Sequence, residues 1–173
     1  MRNIEIKARY ICDEKARRVC EEIGAACLGT VRQVDTYFRV PKGRLKLREL
    51  DAGTGELIAY VRPDQEGPRC SEFVVINVDC PPTVKEIFSA LLGVETVVEK
   101  SRTIYILGNA RIHIDEVDGM GRFLEIEVLC GSGNGEAIQT TTLRACELME
   151  AFEITPMDLI PGSYRELKLC GAR

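Results

Sequence analysis

The residues of this chain that can do chemistry lie two apart on short alternating stretches. Arg44, Lys46 and Arg48 fall on one side of a strand whose other side carries Leu45 and Leu47. Glu125 and Glu127 share a face against Leu124, Ile126 and Val128; Arg111, His113 and Asp115 share one against Ile112 and Ile114. Glu5 and Lys7 repeat the pattern near the start, Arg62 sits on the face of Tyr60, and Lys100 on that of Arg102. Paired acids two apart on a strand can give oxygens to one hard divalent cation, and Asp115 on the neighbouring hairpin strand can join Glu125 and Glu127 there. A row of Arg and Lys can hold a polyphosphate chain through charge-assisted hydrogen bonds. Cations on some walls and carboxylates on others therefore match a polyphosphate bridged by Mg²⁺ or Mn²⁺. An E-x-E strand alone is common on solvated sheets; its pairing with an R-x-K-x-R strand gives the pattern its weight.

Two arrangements accommodate these faces. In the first, a sheet keeps its charged side in water. In the second, the strands close into a barrel whose interior carries the charges. Runs of like charge on one face destabilise a sheet unless counterions relieve them. Helices also need an apolar surface to pack on, so apolar faces that carry helices outside leave the charged faces looking inward.

The elements that would position these residues follow from period and turn chemistry. Residues 3–10 alternate as a strand. Asp13 is placed to cap a helix with a stripe of Ala16, Val19, Cys20, Ile23 and Cys27. Residues 30–40, 44–50 and 57–62 form a three-strand meander with turns at Pro41-Lys42-Gly43 and Asp51-Ala52-Gly53-Thr54-Gly55; a further strand covers 69–79. Thr83-Val84-Lys85-Glu86 reads as a capping box opening a helix through Leu92. Strands at 95–107, 110–117 and 122–130 turn at Gly108-Asn109 and Asp118-Gly119. The Gly-rich Gly131–Gly135 lacks the Lys-Ser/Thr of a phosphate loop and reads as a flexible connection. A helix follows with the stripe Ile138, Thr142, Ala145, Met149 and Phe152, then a helical turn or two over 163–169, where Tyr164 can fold over a tunnel mouth. The fold expected is α+β: an eight-stranded antiparallel β-barrel with helices packed outside, in a single domain over 1–173.

Composition narrows the function. The 173 residues carry a net charge of −4, one His and eight Cys. A single histidine, His113, excludes a His-rich metal cluster or a catalytic triad, which leaves carboxylates, thiolates or carbonyls as metal ligands; His113 itself is expected to line the tunnel or make a hydrogen bond. None of the cysteines forms a C-x-x-C pair, so a structural zinc site is not expected. With no secretory core at the N-terminus, the thiols are expected to be reduced, Cys20, Cys27 and Cys146 to sit in the core, and the location to be cytoplasmic. The acidic balance argues against nucleic acid and anionic membranes as partners, and no apolar run is long enough to span a bilayer. A monomer or a homodimer is expected.

The order of these motifs resembles the CYTH superfamily of triphosphate tunnel metalloenzymes, which includes class IV adenylyl cyclases, thiamine triphosphatases and inorganic tripolyphosphatases. The resemblance covers about residues 2–130. It runs through Arg2–Arg9, Gln33–Phe38, Gly43–Glu49, Tyr60–Pro63, Arg69–Glu72, Lys100–Arg102, His113–Asp115 and Gly121–Glu127. It implies an eight-stranded tunnel binding a small-molecule triphosphate. By position it implies Glu5, Glu125 and Glu127 as metal ligands, with Asp115 in addition. Lys7, Lys46, Arg48, Arg62, Lys100 and Arg102 become phosphate contacts, with Arg44 nearer the turn, and Glu5 and Lys7 belong to the catalytic signature. It further implies metal-dependent hydrolysis, or cyclisation of ATP to cyclic AMP and pyrophosphate. The signature E-x-E-x-K reads Asn3-Ile4-Glu5-Ile6-Lys7 here. An amide oxygen ligates without charge, so a second metal is expected to bind more weakly, which adds weight to a cyclase-like or binding-only role.

Overall fold

In the computed structural model, which describes residues 1–51, 53–131 and 135–171, eight antiparallel strands close on themselves. They are β1 (Arg2–Arg9), β2 (Ala26–Phe38), β3 (Arg44–Leu50), β4 (Gly55–Val61), β5 (Arg69–Val78), β6 (Val94–Leu107), β7 (Ala110–Val117) and β8 (Gly121–Leu129). Around the barrel they run β1-β5-β4-β3-β2-β6-β7-β8, and β8 pairs back onto β1 with Glu5 opposite Glu127 and Lys7 opposite Glu125. Four helices lie outside: α1 (Asp13–Glu22), α2 (Pro81–Leu92), α3 (Gly135–Ala151) and α4 (Tyr164–Gly171). This is the α+β barrel the alternation predicts.

The alternation of each strand sorts the molecule into an outer core and an inner tunnel. Ile4, Ile6 and Ala8 of β1, Ile112 and Ile114 of β7, and Leu124, Ile126 and Val128 of β8 point outward. They pack under Ala16, Val19 and Cys20 of α1 and Ala145 and Leu148 of α3. A second outer cluster joins Phe38, Leu47 and Val78 to Val84, Phe88 and Leu92 of α2. Beyond Leu57 and Val78, which meet that cluster, the outer face of β4 and β5 leaves Val61, Val74 and Ile76 exposed. At one end the inner face itself turns apolar: Tyr37, Val98, Val117 and Phe123 close around Ile160 and Tyr164. Ile160 donates to the Lys7 carbonyl at 2.9 Å, which ties this plug to the C-terminal end of β1.

Local boundaries differ from the expectations where local signals competed. Helix α1 has Cys12, not Asp13, at its cap position, with no side-chain cap; Asp13 is the first helical residue and favours the helix dipole instead. Cys27 belongs to β2, which starts at Ala26, so it is exposed rather than on a buried helical stripe, while Cys20 is buried and Cys146 half-buried. Helix α2 begins at Pro81, because proline suits the first turn where no N–H partner is needed; the Thr83–Glu86 box therefore lies inside the helix and caps nothing. Gly43 turns β2 into β3 at φ 73°, where an added Cβ would lie 2.9 Å from the Tyr60 carbonyl oxygen. Ala52 of the second expected turn and Ser132–Asn134 of the expected flexible connection lie outside the described residues.

Ile126→Ala empties a fully buried site beneath the helices and should cost about 2–5 kcal/mol. Val74→Ala on the uncovered face should stay within about 0.5 kcal/mol. Urea denaturation midpoints of the two variants check the contrast.

Candidate functional site

The inner faces of the strands enclose a cavity of about 160 Å³. Of the residues singled out from the sequence, Glu5, Lys7, Lys46, Arg48, Arg62, Lys100, Arg102, Glu125 and Glu127 line it. Most of its charges fall into three internally paired groups.

The first group centres on Asp35, which is completely buried. It accepts from Lys100 Nζ at 2.6 Å, Lys46 Nζ at 2.9 Å and Arg48 Nε at 2.8 Å. Burial alone would raise its carboxyl, but Arg48, Lys100 and Lys46 hold it well below the usual carboxylate range. The lysines bear the cost of confinement. Burial and the Arg48 charge bring Lys46 down to about 8, and burial, only partly offset by Asp35, brings Lys100 down to about 7.

The second group is Glu5 between Arg62 and Arg69. Arg62 pairs with Glu5 Oε1, and Arg69 Nε donates to it at 3.1 Å. Arg69 also donates to the carbonyls of Ile160 and Pro161 at 2.8 and 2.9 Å, so the plug and the carboxylate share one guanidinium. Against the upward push of burial, Arg62, Arg69 and Lys7 leave Glu5 below its ordinary value.

The third group is Glu125 with Lys7 and Arg102. Arg102 Nη2 reaches Glu125 at 2.6 Å, and Lys7 pairs with its other oxygen while its ammonium sits 3.5 Å from the centre of the Tyr164 ring. Next to Glu125, His113 Nδ1 is buried without a hydrogen-bond partner, 3.7 Å from Glu125 and 3.9 Å from Glu127. Ligand atoms of His113, Glu125 and Glu127 all lie within 4.8 Å of one another. Burial, with Arg102 beside it, holds the imidazole well below its ordinary pKa, so it is neutral with a lone pair to give. This imidazole and carboxylate set fits a divalent cation such as Mn²⁺ or Mg²⁺.

Two expected site residues stand apart. Asp115 is completely buried outside the cavity lining, held by Arg102 at 2.7 and 2.5 Å and by the Tyr164 hydroxyl at 2.7 Å. Arg44 is held outside the cavity lining by Asp64 at 2.6 Å and Glu166 at 3.1 Å, near the start of α4. Asp35 and Arg69 are the residues that sequence reasoning passed over. Asp35 shares the inward face of Tyr37 and pairs in register with Arg48, and that pairing was the available signal.

A family model described as CYTH domain matches residues 1–152. A Methanocaldococcus jannaschii protein named as a candidate adenylate cyclase is 25% identical over 97% of this chain and 99% of its own. The structure of the PH1012 protein from Pyrococcus horikoshii superposes with a TM-score of 0.81 at 28% identity, covering 95% of this chain and 98% of the other. A candidate adenylyl cyclase from Hippeastrum, whose structure is described as revealing a dominant triphosphatase activity, superposes at 0.61 with 16% identity, covering 93% and 91% of the two chains. No helix among the described residues is long and apolar enough to cross a membrane.

The confined lysines predict a pH dependence of stability. A lysine of ordinary value 10.5 when unfolded and about 7 when folded binds fewer protons in the native state between those limits. Its penalty is absent above pH ~10.5, grows as pH falls, and is complete below about 7. Lys100→Met should therefore gain stability relative to the parent as pH drops from about 10 to 7, with a constant difference below. Urea midpoints of both proteins across that range are the measurement, and a pH-independent difference would contradict the assignment.

Proposed function

This chain belongs to the CYTH domain family, and from that membership and the sorting of charge in its tunnel we propose that it binds a small-molecule triphosphate with Mg²⁺ or Mn²⁺ and hydrolyses it. The observation that carries the reading is a single cavity lined by Lys46, Arg48, Arg62, Lys100 and Arg102 together with Glu5, Glu125 and Glu127, the last two of which have His113 beside them.

The chain's own groups supply binding and alignment. Lys46, Arg48 and Lys100 each keep donors beyond the bond that Asp35 accepts, and these can take phosphoryl oxygens. Arg102 is aimed into the cavity because Asp115 grips its guanidinium from behind and Tyr164 fixes Asp115 in turn. Asp115 thus serves by orienting Arg102. Lys7 stands between Glu125 and the Tyr164 ring, where it can donate to a phosphoryl oxygen at the reacting end. Donors fixed before the ligand arrives need not reorganise as charge builds up in the transition state. Bound at Glu5, Glu125 and Glu127 with His113 beside them, the divalent ion would add Lewis acidity toward the phosphate chain.

A second reading, cyclisation of a nucleoside triphosphate with release of pyrophosphate, draws on the name of the Methanocaldococcus jannaschii relative. One assay separates the two: tripolyphosphate, thiamine triphosphate and ATP are each incubated with Mg²⁺ and Mn²⁺, and phosphate and cyclic nucleotide are both read. The expected result is metal-dependent phosphate release, abolished by a chelator. Glu127→Gln and Arg48→Ala should each lower kcat/KM by about 10²-fold or more. Cyclic AMP from ATP without phosphate would favour the second reading. No turnover, with tripolyphosphate still raising the melting temperature, would leave a binding module.

A further inference from the structure

We infer that this chain forms a two-fold dimer by pairing the free edge of β5, Val74 to Val78, antiparallel with the same edge of a second copy. The inference concerns the outside of the barrel and does not depend on what the tunnel binds.

The barrel is closed unevenly around β5. On one side β5 pairs with β4 without a break, from Glu72 opposite Val61 to Val78 opposite Gly55. On the other side it meets β1 only from Arg69, opposite Glu5, to Glu72, opposite Arg2. One further exchange joins Phe73 to Met1. The Phe73 N–H donates to the Met1 carbonyl at 3.0 Å, and the Met1 ammonium donates to the Phe73 carbonyl at 2.9 Å. Successive residues of a strand aim their N–H and C=O groups to opposite sides. Phe73 faces β1, so Val75 and Asn77 face the same way, where β1 has already ended. Among the described residues no backbone group meets theirs on that side.

Exposed edges are normally blunted by charge, proline or a bulge. The run Phe73-Val74-Val75-Ile76-Asn77-Val78 has no charge and no proline, and its register with β4 is unbroken. Its outer side chains are uncovered too: Val74 and Ile76 are each 58% exposed. Beside them Met1, Ala59, Val61 and Val74 line a groove of about 740 Å³ that reaches Cys130 and Gly131, so there is room next to this edge. What such an edge accepts is an extended, uncharged strand of high β propensity, and the chain carries one in this same segment. Antiparallel pairing about a two-fold axis at Ile76 sets Val75 of each copy opposite Asn77 of the other. Every N–H and C=O left free at these two residues is then bonded, which a register shifted either way does not achieve. Ile76 comes to lie beside Ile76 of the other copy on the outer face, which removes apolar surface from water. Charge permits the approach, because the segment is neutral and Glu72 at its start already pairs with Arg2 at 2.8 Å. The contact is small beside the about 1,600 Å² of a standard interface, so the dimer belongs to the weak, concentration-dependent class.

The test is analytical ultracentrifugation of the full chain from about 1 to 200 µM, with amide hydrogen exchange at both ends of that range. The expected result is a reversible monomer–dimer equilibrium in which the Val75 and Asn77 amides gain protection as the dimer forms. Ile76→Lys puts two ammonium groups side by side across the axis and should raise the dimer dissociation constant about tenfold or more. Val75→Pro removes an outward N–H that β4 does not use and should act in the same direction. Should Val75→Pro fail to fold, Ile76→Lys, at an exposed position, carries the test. Val61→Lys lies on the same outer face but away from the edge and should leave the equilibrium unchanged. A monomer across the whole range overturns the inference. So does a dimer that Ile76→Lys leaves intact, or one that Val61→Lys breaks equally, which would mean packing face to face. Protection of Val75 and Asn77 in the monomer would assign the edge to another segment of this chain and overturn it as well.

Discussion

Asp35 sits at zero exposure with two lysines and an arginine on its two oxygens, and the rest of the tunnel depends on that bond set. Three cations brought together inside a closed barrel would otherwise repel one another at low effective dielectric and lose their hydration without return. One carboxylate at their centre lets β2, β3 and β6 approach with their charged faces inward. Glu5 does the same for Arg62, just after β4, and Arg69 on β5, and Glu125 for Lys7 and Arg102. The interior is thus a set of small paired groups in which each carboxylate offsets part of the charge of two or three cations, leaving positive charge over for an anion. An anionic ligand competes with the internal carboxylates for donors already in place.

Because the charges are satisfied inside, the apolar residues are free to face out, and this inverts the usual arrangement of a small barrel. The hydrophobic effect acts between the outer wall and the helices, so stability and site are built from alternate residues of the same strands. Ile6 anchors α1 and α3 while its neighbours Glu5 and Lys7 serve the cavity. The C-terminal segment links the two. Ile160 and Tyr164 complete an apolar cluster at the closed end, while the same Tyr164 hydroxyl positions Asp115 and through it Arg102.

Strand period made most of this legible before any coordinates. Residues 110–117 and 44–50 are bounded as their alternation predicts, and the like-charged runs of Arg44/Lys46/Arg48 and Glu125/Glu127 pointed to an inward face. What escaped was set by partners distant in the chain. Asp35 is one acid in a mixed stretch, and only the register with β3 and β6 reveals what it holds. Arg69 gains its role from carbonyls of Ile160 and Pro161, and Asp115 is held outside the cavity lining by Arg102 and Tyr164. Arg44 shares the face of Lys46, yet Asp64 and Glu166 draw its guanidinium out of the cavity lining. The local errors have local causes: a cysteine took the cap position expected of Asp13, and Pro81 opened a helix ahead of the box at Thr83.

The ladder that joins β1 to β8 has a bearing on how the chain reaches this state. The hairpins β6–β7 and β7–β8 form between neighbours, but Glu5 meets Glu127 only after on the order of a hundred residues have been gathered between them. That loop-closure entropy is spent before the last ladder returns any contact, so closure belongs late on the folding route and the rate should be that of a high-contact-order β protein. Until it happens, β1 and β8 each present an unpaired edge, and the nascent chain is at its most exposed to association with other chains.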